Sequence, residues 1–102
     1  MSGLMMEDVY PCAKLVLDFS ALYAILKAKR WGRQNWAVIV ATSQRSRSIG
    51  VEIAEKCDMR FSTTSSQLYS AGGDLRIDLV SLNETHRMRG QRFDIVFMDG
   101  VL

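Results

Sequence analysis

A chain of 102 residues, 48% of them hydrophobic and 24% charged, has the length and balance of one globular domain spanning 1–102, with no room for a second core. Two well-separated cysteines, Cys12 and Cys57, with no CxxC pair and no adjacent histidine, rule out a disulfide scaffold and argue against a zinc site. The apolar stretches are broken by Asp18, Lys27 and Asp94, so no membrane span is expected, and Glu7 and Asp8 without a basic leader argue against secretion. Reduced thiols and a cytoplasmic location follow as expectations.

The net charge of +2 conceals an uneven distribution. No acid occurs between Phe19 and Val51, a stretch that holds Lys27, Lys29, Arg30, Arg33, Arg45 and Arg47, and a second basic group, Arg87, Arg89 and Arg92, precedes the C-terminal apolar run. Such asymmetry suits a polyanionic partner better than the small total suggests.

In chain order, residues 13–30 predict a helix. Leu15, Phe19, Leu22 and Leu26 recur at helical steps, the basic residues at 27–30 suit its carboxyl end, and Gly32 stops it. Asp18, costly if buried alone, should reach a basic partner or the helix edge. Residues 36–42 form a continuous β-branched run, the mark of a strand covered on both faces. Thr42 or Ser43 then caps a helix over about 44–57, with Ile49, Ile53, Ala54 and Cys57 inward and Arg45, Arg47, Glu52 and Glu55 outward. Residues 59–64 and 75–82 alternate as two strands around the turn Gly72-Gly73-Asp74, an arrangement compatible with an antiparallel hairpin. Finally, residues 93–98 form an apolar strand that delivers Asp99 and Gly100 at its carboxyl end. The predicted class is α/β: a layered, mostly parallel sheet of about four strands with at least two helices.

In such sheets ligands sit beyond the carboxyl ends of the strands, here Thr42-Ser43 and Asp99-Gly100. An apolar strand ending in Asp is the Walker-B arrangement, in which a rigidly held carboxylate binds a magnesium ion bridging two phosphates. An Asp at a strand end is also common in α/β proteins with no such role.

The segment Arg87-Met88-Arg89-Gly90-Gln91-Arg92-Phe93-Asp94-Ile95-Val96-Phe97-Met98-Asp99 resembles the large terminase subunits of tailed bacteriophages, in which an Arg-Gly element precedes a strand ending in Asp-Glu. Trp36 to Thr42 and the polar helix after it look like that family's second core strand and following helix, and the apolar helix from Lys14 resembles the one after a P-loop. The resemblance runs in order over most of residues 11–100. It implies a P-loop-NTPase-like fold, a part in packaging viral DNA in the host cytoplasm, Mg2+ and ATP as cofactors, Asp99 as metal ligand and Lys14 as the phosphate-binding lysine. Double-stranded DNA and phage packaging proteins would be the partners.

The chain departs from that pattern at several positions. Residues Val9-Tyr10-Pro11-Cys12-Ala13 bring no glycine before Lys14, Leu15 stands where a magnesium-binding hydroxyl is expected, and Gly100 replaces the glutamate that activates water. Only residues 1–10 could supply the strand before the phosphate loop, so the sheet is expected to be incomplete. Unaided ATP hydrolysis is therefore not expected, and ATP and Mg2+ would bind weakly or not at all.

The basic residues carry two further readings. Lys29, Arg30, Arg33, Arg45 and Arg47, with Trp31 and Trp36 nearby, suit a nucleic-acid or partner surface, or else a solvated helix end with tryptophans in the core. Arg87, Arg89 and Arg92 would contact DNA phosphates, reach a nucleotide in trans, or simply keep a loop soluble. His86 has no Ser or Cys partner beside it and reads as a surface residue. The alternative to a degenerate ATPase is thus a non-enzymatic α/β module binding nucleic acid or protein, or a homodimer joined through an open sheet edge.

Overall fold

A computed structural model describes residues 13–28 and 32–100. In chain order these form β1 (Ala13–Val16), α1 (Phe19–Ala28), β2 (Gln34–Val40), α2 (Ser43–Cys57), β3 (Arg60–Ser62), β4 (Gln67–Tyr69), β5 (Leu75–Ser81), a 3-10 segment (Leu82–Met88) and β6 (Ile95–Met98). All six strands join one sheet in the order β1-β6-β2-β5-β4-β3.

The expected α/β class holds, but the sheet is mixed rather than mostly parallel. Strands β1, β6, β2 and β5 run parallel, whereas β4 lies antiparallel to both β5 and β3. The expected pairing of 59–64 with 75–82 is corrected, because the short strand β4 intervenes. It carries only three residues, too few to show a period of two in the sequence.

The N-terminal helix is also corrected. Residues 13–16 are an edge strand paired with β6, with Lys14 opposite Val96, and α1 begins only at Phe19. Asp18 makes the boundary. Its Oδ1 accepts the Ser20 and Ala21 backbone N–H groups at 3.0 and 3.3 Å, which caps the helix. Leu22 and Leu26 are buried as the helical spacing predicts, while Leu15 belongs to the strand.

Alternation along the strands sorts the core onto two faces of the sheet. Trp36, Val38, Val40, Leu75, Ile77, Leu79 and Phe97 pack against Leu22 and Leu26 of α1 and Ile49 and Ile53 of α2. On the other face Ala37, Ile39, Val80 and Val96 meet Met88 and Phe93, which the 3-10 segment and the following loop fold back over the sheet. Gly50 lets α2 approach β3: a Cβ there would lie 2.5 Å from the Phe61 ring. Buried within the second face is an acid, Asp78, 3% exposed, with Arg76 Nε 2.9 Å away and Gln67 donating to it at 3.2 Å. Burial raises the Asp78 pKa above the usual carboxylate value, and Arg76 and Gln67 offset the rise in part.

Candidate functional site at the carboxyl edge of the sheet

Because four neighbouring strands run parallel, their carboxyl ends share one edge. The register sets Met98 level with Val16 on one side and Ile39 on the other, and Val40 level with Ser81. One residue further on, Asp99 donates its N–H to Ile39 O at 2.9 Å, so the pairing of β6 with β2 holds its backbone rigid. Asp99 is thereby presented at the centre of the edge, and only 4% of it is exposed.

Both oxygens of its carboxylate accept hydrogen bonds. Arg45, in the first turn of α2, donates from Nε to Asp99 Oδ2 at 2.7 Å and from Nη2 to Oδ1 at 3.3 Å. The Asp99 contact raises the guanidinium pKa above its already high ordinary value. Thr42 sets the position of that turn, since its hydroxyl accepts the Arg45 N–H at 3.1 Å and makes it the N-cap left open between Thr42 and Ser43. The Phe19 ring lies 6.0 Å from the Arg45 guanidinium carbon. Arg45 was expected to face outward; instead its charge turns back over the sheet edge, because a buried carboxylate within reach outweighs solvation of a half-exposed guanidinium.

The connection from β1 to α1 is the other half of the edge. Only Leu17 and Asp18 lie between them, and Leu17 N–H still donates to Met98 O at 2.7 Å. No loop intervenes that could wrap a phosphate, and the first amides of α1 are taken by the Asp18 carboxylate. Two side chains thus stand where the resemblance would put ligands: a carboxylate at the helix start and a guanidinium on the strand-end Asp.

Both Asp99 oxygens are used, and no three of His, Cys, Asp and Glu converge among the described residues. Lys14 runs within β1 rather than at the start of a helix, and its side chain lies outside the described part.

The expected basic surface divides between the two edges. Arg45 and Arg47 lie in α2 at the carboxyl edge; Arg33, Arg89 and Arg92 lie in the segments that lead into β2 and β6, at the opposite edge. Arg87 is half-buried and tied back to the fold, donating to Ser65 O at 3.0 Å and pairing with Glu84 at 3.5 Å. Lys29, Arg30 and Trp31 lie outside the described residues, and Trp36 is core. His86 is exposed, as expected.

Sequence reasoning missed the polar groove beside this edge. Ser43, Gln44 and Arg47 of α2, Phe61 of β3, Thr63 and Ser66 of the following turn, and Glu84 enclose about 390 Å³. The signal lay in Ser62-Thr63-Thr64-Ser65-Ser66, a hydroxyl-rich turn, but nothing in the sequence placed it beside α2.

Comparison of the chain with protein-family models, with curated proteins and with solved structures found no match.

Proposed function

We propose that this chain is a terminase-like α/β module that does not hydrolyse ATP by itself and serves DNA packaging as a binding part, with DNA or a packaging protein as its partner. The observation that carries the reading is the Arg45–Asp99 pair, an internal cation on the carboxylate that a working ATPase would give to magnesium. The Asp18 cap supports it from the other side, filling the helix start with an internal anion. The finer fold assignment, a P-loop-NTPase-like sheet, belongs to the same reading and draws support from the parallel order β1-β6-β2-β5 with Asp99 at its carboxyl edge. No step of the proposed role passes through Mg2+ or ATP.

The test is an amide-shift NMR titration with Mg2+ and a non-hydrolysable ATP analogue, paired with a phosphate-release assay. The expected result is an unchanged spectrum at residues 17–21 and 97–100 and no phosphate release above background. Magnesium-dependent hydrolysis that Asp99→Ala abolishes would overturn the reading.

A second reading, association of two copies through the sheet edge, is favoured by Val16, which is 73% exposed on the outermost strand β1. Light scattering on a sizing column checks it: Val16→Lys should convert a dimer into a monomer. None of the described helices is long and apolar enough to cross a membrane.

A further inference from the structure

We infer that the groove between α2 and the β3–β4 turn binds single-stranded nucleic acid, one nucleotide unit at a time, with its phosphate on Arg47 and its base against Phe61. The inference rests on the nucleic-acid branch of the proposed function, but not on any ATPase ancestry.

The groove has the size and chemistry for such a ligand. Its volume of about 390 Å³ falls in the ordinary range of small-molecule sites. Arg47 is exposed, and among the described residues its guanidinium has no ion-pair or hydrogen-bond partner. The side chains of Ser43, Gln44, Thr63 and Ser66 likewise take part in no hydrogen bond among those residues, so the groove presents a cation, an amide and three hydroxyls uncommitted to the fold. Polar groups that line a concavity without internal partners are the donors that a phosphodiester accepts from.

Phe61 supplies the second element of recognition. Its ring is only partly buried: it packs against the core with its far end at Gly50 of α2, and the rest of it lines the groove wall. A ring held in this way offers a stacking platform that any base can use, which gives affinity with little sequence preference. Glu84, the one acid on the lining, is committed elsewhere: it accepts from the Ser81 hydroxyl at 2.7 Å and pairs with Arg87. Its charge is therefore offset within the fold rather than turned against an entering phosphate.

The experiment is a fluorescence-anisotropy titration of the whole chain with a fluorescein-labelled oligothymidylate and with a duplex of equal length. Three variants are compared, Arg47→Glu, Phe61→Leu and Arg33→Glu, each checked for folding by circular dichroism. Arg33, at the opposite edge of the sheet from the groove, matches the charge change of the first variant. The expected result is a preference for the single strand, weakened about 10-fold or more by Arg47→Glu and about 5-fold or more by Phe61→Leu, the lower end of what one stacked base contributes. Arg33→Glu should leave binding within about 2-fold, the size of a distant screened charge effect. Binding that Arg33→Glu abolishes and Arg47→Glu spares would overturn the groove while leaving a nucleic-acid role at the opposite edge. Preference for duplex with no effect of Phe61→Leu would overturn it as well. No binding to either probe would overturn both the groove and the nucleic-acid branch, whereas the phosphate-release assay judges the ATPase question separately.

Discussion

Arg45 and Asp99, separated by 54 residues of chain, meet through two hydrogen bonds at the carboxyl edge of the sheet, and the two partners are unequally exposed. The Asp99 side chain is 3% exposed and that of Arg45 36%. This asymmetry fixes the order of mutational effects. Arg45→Met leaves a carboxylate buried without its counter-charge and should cost about 3 kcal/mol, the low end for breaking a buried pair. Asp99→Asn frees a guanidinium that can turn to water and should cost about 1 kcal/mol, closer to a surface pair. Urea denaturation of both variants and of the double variant checks this, and the double variant should be more stable than Arg45→Met alone. Equal losses in the two single variants would show that the pair is not the buried lock described.

Gly50 and Phe61 offer a test with an unusual sign. Gly to Ala inside a helix ordinarily gains about 1 kcal/mol. Here the new Cβ would sit 2.5 Å from the ring, so the ring must swing out of its contact with α2. Gly50→Ala should therefore lose about 1 kcal/mol net, the low end for overpacking, and Gly50→Ala with Phe61→Leu should recover it. Thermal unfolding of the three variants decides the matter.

Asp78 predicts a pH dependence. Burial raises its folded-state pKa above the ordinary 3.8, so between those two values the folded state holds a proton that the unfolded state has released. Stability from this group is then greatest below the ordinary value and falls as pH rises toward the raised one. Asp78→Asn should remove that fall while keeping a polar side chain opposite Gln67. Denaturation midpoints at several pH values above 3.8 should drop in the parent relative to the variant; parallel curves would refute the assignment.

Thr42 caps α2 by accepting the Arg45 N–H, which also holds the turn that carries Arg45 to Asp99. Thr42→Ala should cost about 1 kcal/mol as a lost cap, whereas Thr42→Ser should cost little. If the cap also positions Arg45, the double variant Thr42→Ala with Arg45→Met will lose less than the sum of the two single changes. Strict additivity in urea denaturation would mean that cap and ion pair are independent.

Much of the framework was legible in the chain itself. The β-branched run at 36–42, the apolar run before Asp99 and the 3.6-residue spacing of Ile49 and Ile53 each determined an element, because a period or an unbroken apolar run survives in one dimension. Thr42 was a local cue of the same kind. What tertiary structure alone decided was where edges and charges meet. The stretch 13–16 reads as helix by spacing and becomes a strand because β6 offers it a partner, and β4 exists only between β5 and β3. The turning of Arg45 onto Asp99, the inward tie of Arg87, and the meeting of a hydroxyl-rich turn with α2 in one groove all join residues distant in sequence. Such contacts leave no period to read, since their energy comes from burial and charge pairing that exist only once the sheet has brought its carboxyl ends to a common edge.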